Sequence, residues 1–249
     1  MDMPSYLESP QGRRLAYHRS EGAGPGVVFL GGYMSDMSGT KATHLEAWAK
    51  AQGRAFLRFD YSGHGQSEGA FTEGTIGRWA EDAAAVIAAV TEGPQILVGS
   101  SMGGWISLLL LRRQLVDCAG LVTIAAAPDF TEDGFWESFS NAAREELMSH
   151  GVLHVPSDYG SPYPVTRGLI EDGRRNLVLR EQLALPMPVR FLQGTADREV
   201  EVSRATMLLS HAQGDDIRLT LVKGADHSFS TPACLALVEQ AIGEVLGHA

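Results

Sequence analysis

The chain has 249 residues, 44% hydrophobic and 20% charged, which suits one large globular domain with a full core and needs no staples. A formal net charge of −10 argues against nucleic acid and anionic membrane surfaces as partners, because both select basic patches. The two cysteines, Cys118 and Cys234, lie in apolar contexts without CxxC spacing, so free thiols are expected, not a disulfide, redox pair or metal site.

The start, Met1 to Tyr6, is acidic and has no apolar h-region, which predicts no signal peptide and a cytoplasmic chain. No apolar run reaches the length of about eighteen residues that a membrane span needs. Two short strands, near Tyr6-Leu7 and Leu15-Ala16-Tyr17, are joined by Pro10-Gln11-Gly12 and read as an antiparallel hairpin on a sheet edge. Val27-Val28-Phe29-Leu30 reads as a buried strand ended by Gly31-Gly32, and a helix follows from Lys41 to Gln52. The strand Ala55 to Phe59, an alanine-rich helix from Arg78 to Val90, and the strand Gln95 to Val98 come next. A leucine-rich helix through Leu108–Leu111 and the strand Leu121 to Ile124 continue the alternation. Late in the chain come the strand Val189 to Leu192, a helix from Val202 to His211, the strand Ile217 to Val222 and a closing helix from Pro232 to Leu246. Continuous apolar strands separated by helices predict an α/β fold, a mostly parallel central sheet covered on both faces. Residues 130–185 break the rhythm with Phe130, Phe135, Trp136, Phe139 and a turn-rich stretch from Pro156 to Pro164. The whole chain, 1–249, is read as a single domain in which 130–185 is a small helical cap inserted over the strand C-termini.

The segment Gly99-Ser100-Ser101-Met102-Gly103 falls on a strand-to-helix corner, the context in which Gly-x-Ser-x-Gly carries meaning. The turn brings backbone two residues before the serine close to backbone two residues after it, so a Cβ at Gly99 or Gly103 would collide. Ser101 is thereby expected in a strained conformation with its hydroxyl exposed, as a nucleophile. A serine hydroxyl needs a base, and the base needs an orienting acid. Asp197 follows the strand Val189 to Leu192, and His227 follows the strand Ile217 to Val222. Loops at one edge of a parallel sheet converge, so Ser101, Asp197 and His227 are expected to meet as a triad. Of eight histidines, His64 in a glycine-rich loop is the serious rival base. Asp129, which also follows a sheet strand, is the runner-up acid, and Asp226 is expected to point elsewhere.

Oxyanion donors are expected from the backbone N–H of Met102, directly after the nucleophile, and of Tyr33 in the loop Gly31-Gly32-Tyr33-Met34. An apolar acyl pocket is expected from Phe135, Trp136 and Phe139, with Leu147, Met148 and Leu153 adding to it. That composition predicts a medium or long acyl chain.

These residues together resemble the α/β-hydrolase superfamily across nearly the whole chain. Asp60-Tyr61-Ser62-Gly63-His64-Gly65-Gln66-Ser67 looks like the superfamily's Asp-x-x-Gly-x-Gly-x-Ser loop. With Gly31 to Ser35, Gly39-Thr40-Lys41-Ala42 and Gly93 to Trp105, the chain is similar to the family of abhydrolase-domain-containing protein ten, described as palmitoyl-protein thioesterases and acyl-glucuronide esterases. The resemblance implies triad roles for Ser101, Asp197 and His227. It departs at Gly31, where many hydrolases carry histidine and the mitochondrial relative carries proline. The expected activity is hydrolysis of carboxylic esters or thioesters through an acyl-enzyme, on a small-molecule substrate or an acylated protein, with no metal or organic cofactor needed. Acyl transfer on the same triad, or a hydrolase-like protein that only binds its ligand, stand as the alternatives.

Overall fold

The computed structural model describes residues 3–156 and 162–247. Residues 157–161 of the turn-rich stretch, and the first two and last two residues, lie outside it.

The chain opens with β1 (Ser5–Glu8) and β2 (Arg14–Ser20), the expected antiparallel hairpin. Then follow β3 (Ala23–Leu30), α1 (Thr40–Ala51), β4 (Arg54–Phe59), α2 (Ile76–Val90), β5 (Gln95–Ser100), α3 (Met102–Arg112) and β6 (Cys118–Ile124). A π-helical turn (Thr131–Trp136), α4 (Asn141–His150), the hairpin β7 (Val152–Val155) and β8 (Tyr163–Thr166), and α5 (Arg167–Arg175) make up most of residues 130–185. The return passes through the two-residue strand β9 (Leu183–Ala184) to β10 (Val189–Gly194). After α6 (Val202–His211), β11 (Ala212–Gln213) pairs with β9, and β12 (Ile217–Val222) and α7 (Pro232–Leu246) close the chain.

The central sheet has eight strands in the order β1-β2-β4-β3-β5-β6-β10-β12. All neighbours from β4 to β12 run parallel, and β2 is antiparallel to both β1 and β4. The continuous apolar strands are explained by two separate cores. Alternate side chains point to opposite faces of a strand. Val28, Leu30, Leu97 and Phe191 face α2 and α3, where they meet Trp79, Ala83, Trp105 and Leu108. Val27, Phe29, Ile96, Val98 and Leu192 face α1 and α7, against Leu45, Val238 and Ile242. β12 shows the alternating exposure of a sheet edge, with Leu221 46% exposed. Both cysteines are free thiols, and burial pushes Cys118 up to about 11. Among the described residues no helix is long and apolar enough to cross a membrane.

Candidate active site

The C-terminal ends of β3, β5, β6, β10 and β12 deliver their loops to one edge of the sheet. At the end of β5, Ser101 takes φ 52° and ψ −117°, a region that costs a non-glycine residue strain and that the surrounding packing must hold. Its amide donates to Ile124 O at 2.9 Å, and its carbonyl accepts from Gly104 and Ala127. The flanking glycines are sterically required. A Cβ on Gly99 would lie 2.5 Å from the Gly103 carbonyl oxygen, and one on Gly103 would lie 2.1 Å from the Leu30 carbonyl oxygen.

His227 Nε2 stands 3.1 Å from Ser101 Oγ, and His227 Nδ1 stands 2.9 Å from Asp197 Oδ2. The Asp197 side chain has no exposed surface, and that of His227 is 17% exposed. Oδ1 of Asp197 accepts the amides of Glu199 at 2.9 Å and Val200 at 2.8 Å, and Oδ2 also accepts Gln193 Nε2 at 2.9 Å. Burial alone would raise this carboxyl. The hydrogen bond and charge of His227, with the Val200 and Gln193 donors, hold it below the usual aspartate range. The two loops are laced together: Thr195 N donates to Val222 O, Ala196 N to Ala225 O, and Gly224 N to Thr195 Oγ1. Gly194 permits the approach, since a Cβ there would lie 2.2 Å from Ala225 O.

The rival residues have other work. His64 is buried among the rings of Tyr61, Phe71 and Trp79. Burial pushes its imidazole down to about 4, against the Ser62 carbonyl that Nδ1 faces at 3.3 Å. Asp129, at φ 59° and fully buried, accepts the amides of Val178 at 2.7 Å and Leu179 at 2.9 Å, and an Arg180 Nη1–H at 3.3 Å. It fastens the end of the 130–178 excursion to its beginning. Asp226 Oδ1 accepts Ser228 Oγ and the Phe229 amide, which shapes the turn after His227.

Met102 N–H is the first amide of α3, a position with no acceptor one turn back. The Gly31–Met34 loop crosses directly over the elbow: a Cβ on Gly32 would lie 3.3 Å from Ser101 Cβ. Tyr33 lines the site, and its hydroxyl donates to Pro164 O in β8 at 2.7 Å. Its ring meets those of Phe71, Phe130, Phe135 and Tyr163 edge-on.

Ser101 and His227 open into a cavity of about 770 Å³. Its lining includes the apolar side chains Phe130, Phe135 and Val155 with Tyr33 and Tyr163, and the polar Ser35, Lys41, Arg198, Glu199 and Ser228. Phe130, Gly134, Phe135, Ser138, Val155 and Tyr163, all from the excursion after β6, thus belong to the lining of the cavity that holds the serine. The expected acyl pocket needs correction. Phe135 lines the cavity, but Trp136 packs against two guanidinium groups, Arg174 at 4.5 Å and Arg144 at 5.1 Å from its ring centre. Phe139 stacks parallel on Phe135 at 6.1 Å without reaching the cavity lining. Leu147 is fully buried, Leu153 packs on the core and Met148 is 40% exposed. A helical turn exposes only one face, and the sequence does not say which aromatic of the Phe135–Phe139 group points inward. Sequence reading missed Gln193, Tyr163 and Arg198, none of which carries a local signal.

The family described as "Serine aminopeptidase, S33" matches residues 25–153. The chain is similar to the palmitoyl-protein thioesterase ABHD10, mitochondrial, of Rattus norvegicus, 33% identical over 97% of this chain and 82% of the relative. The Homo sapiens counterpart is 32% identical over 97% of this chain and 79% of its own length. Two solved structures superpose closely. One, from Agrobacterium vitis S4, is 40% identical with a TM-score of 0.94, covering 97% of this chain and 98% of that one. The other, alpha/beta hydrolase domain-containing protein 10 from mouse, is 32% identical with a TM-score of 0.90, covering 99% of both. The expectation of a cytoplasmic chain is corrected by these relatives, whose names place them in mitochondria.

Proposed function

The chain belongs to the α/β-hydrolase serine hydrolases, and on that premise we propose that it cleaves acyl thioesters or esters through an acyl-enzyme on Ser101. The observation that carries this reading is the hydrogen-bonded run Ser101 Oγ, His227 Nε2, His227 Nδ1, Asp197 Oδ2. His227 takes the hydroxyl proton as Oγ attacks the acyl carbon. The carbonyl oxygen gains its charge facing the amides of Met102 and Tyr33. His227 then gives the proton to the departing thiol or alcohol, and the same imidazole activates the water that releases the acid. Asp197 keeps Nδ1 protonated and stabilises the imidazolium.

Residues 130–185 act as a cap whose aromatic face, with Phe135 at its centre, receives an apolar acyl chain. The name palmitoyl-protein thioesterase, borne by relatives that align along almost the whole chain, supports a long acyl group on sulfur. The test is a pair of substrates sharing one acyl chain, an oxygen ester and a thioester, with Ser101→Ala as the blank. Turnover at least about 10⁴-fold above the blank, better on the thioester in kcat/KM, is the expected result. Equal turnover by Ser101→Ala overturns the mechanism; a firm oxygen-ester preference overturns the thioester assignment. A chain-length series checks the pocket, and a preference for acetyl removes the long-chain reading.

A further inference from the structure

Lys41 occupies a place that stability alone does not favour. It is the second residue of α1, where the helix dipole opposes a positive charge. It is partly buried, and burial lowers its ammonium to about 8, with the charge of Asp226 pulling the other way. Among the described residues no carboxylate forms an ion pair with it. Its hydrogen bond goes to the carbonyl of Ser228, 2.5 Å away, the residue directly after the base His227. Ser230 Oγ donates to the same carbonyl at 2.8 Å. Lys41 also lines the cavity that holds Ser101 and His227.

The chain path gives this contact its meaning. α1 follows directly from the loop that carries Tyr33, and Ser228 belongs to the loop that carries His227. Lys41 is thus the side-chain tie between the oxyanion loop's helix and the base loop. A charge-assisted bond to a carbonyl is about twice as strong as a neutral one, and a base displaced by a fraction of an ångström loses rate steeply. We propose that Lys41, in its ammonium form, is a positioning residue that fixes the His227 loop against α1 for proton transfer with Ser101. This rests on the triad reading above.

The charged and titratable groups around Lys41 are Asp226 and His227 on the base loop, Arg198 and Glu199 on the loop after β10, and the His44–Glu239 pair one turn along α1. Asp226 sits on the same turn and carries a lowered carboxyl, from its bond to Ser228 Oγ first, so it stays charged throughout the alkaline range. Loss of the Lys41 proton is then the change that weakens the tie as pH rises.

The experiment is kcat and KM from about pH 6 to 10 on a soluble medium-chain ester, for the wild type, Lys41→Arg and Lys41→Met, with thermal melting of each. The wild-type kcat should fall above about pH 8. Lys41→Arg, which keeps its charge, should carry its plateau to about pH 10. Lys41→Met should lose about tenfold or more in kcat at neutral pH, with KM near wild type and no decline near pH 8. A wild-type alkaline limb retained in Lys41→Arg, or an unchanged kcat in Lys41→Met, overturns the proposal. If Lys41→Met does not fold, the Lys41→Arg profile decides alone. Ser101→Ala run alongside keeps the two readings apart, since its activity bears on the triad and the Lys41 profiles bear only on the tie.

Discussion

Asp197→Asn is the sharpest probe of how this site works, because its effect follows from hydrogen-bond direction and not from lost volume. The asparagine oxygen can take the place of Oδ1 and keep the amides of Glu199 and Val200. The amide nitrogen then replaces Oδ2, the atom that receives His227 Nδ1 at 2.9 Å. Two donors cannot face each other, so the imidazole must present a bare Nδ1 and carry its proton on Nε2. Nε2 is the atom 3.1 Å from Ser101 Oγ, and a protonated Nε2 cannot accept the hydroxyl proton. Gln193 loses an acceptor: its Nε2 would face the new amide nitrogen, and a flip that turned Oε1 there would set that oxygen against the carbonyls of Val200 and Gly194, which Nε2 now serves. The fold should therefore lose about 2 kcal/mol, a shift in Tm of about 4–8 °C at this chain length. The rate should fall about 10⁴-fold in kcat, or about 5 kcal/mol of transition-state stabilisation, the magnitude general to a wrong-tautomer triad. Steady-state kinetics with a melting curve on the same preparation measures both. A kcat within about tenfold of wild type would refute the tautomer argument. A melting loss above about 10 °C would show that the carboxylate acts mainly on structure.

Asp129→Asn should do the reverse: each of its oxygens receives a backbone amide, so one amide is left facing a donor in a buried place. A loss of about 3 kcal/mol and of about 6–12 °C in Tm is expected, with kcat of the folded enzyme close to wild type. Gly99→Ala drives a Cβ to 2.5 Å from the Gly103 carbonyl oxygen between two immobile backbones, and should cost more than about 4 kcal/mol, read as loss of cooperative melting. Glu46 tests acid behaviour. Burial raises its carboxyl, but bonds from Ser20, Lys50 and Arg58 bring it down to about 2. A depressed folded value means stability that is fully present above the ordinary glutamate pKa and is lost as pH falls towards 2. Glu46→Gln should accordingly weaken the protein to urea at about pH 7, with the difference from wild type shrinking at about pH 3; an equal difference at both would contradict the assignment.

Local sterics and periodicity were enough to read the elbow and the layers. Only glycine tolerates the contacts at 99 and 103, so the motif states its own geometry, and runs such as Val27–Leu30 are apolar at every position because both faces of the sheet are covered. The helices Val202–His211 and Pro232–Leu246 fall where the sequence places them, and in the folded chain Thr231 caps the latter by accepting the Cys234 amide. Tertiary structure decided the choices among like residues. Asp129 and Asp197 both follow sheet strands; what separates them is that β10 and β12 are neighbours, so Asp197 meets His227, whereas Asp129 meets the returning chain at Val178 and Leu179. His64 and His227 both follow glycine-bearing turns, and only the packing of Phe71 and Trp79 over His64 removes it from the cavity. Which aromatic of Phe135, Trp136 and Phe139 faces the serine depends on how one short helical turn rests on Tyr33 and on the arginines beyond it. A sequence specifies side-chain types and local geometry, whereas partners tens of residues apart are assigned only when the loops are brought to one edge of the sheet. Gln193 and Lys41 show the consequence: each has an ordinary local context and acquires its contact, with Asp197 or with Ser228, only in the folded chain.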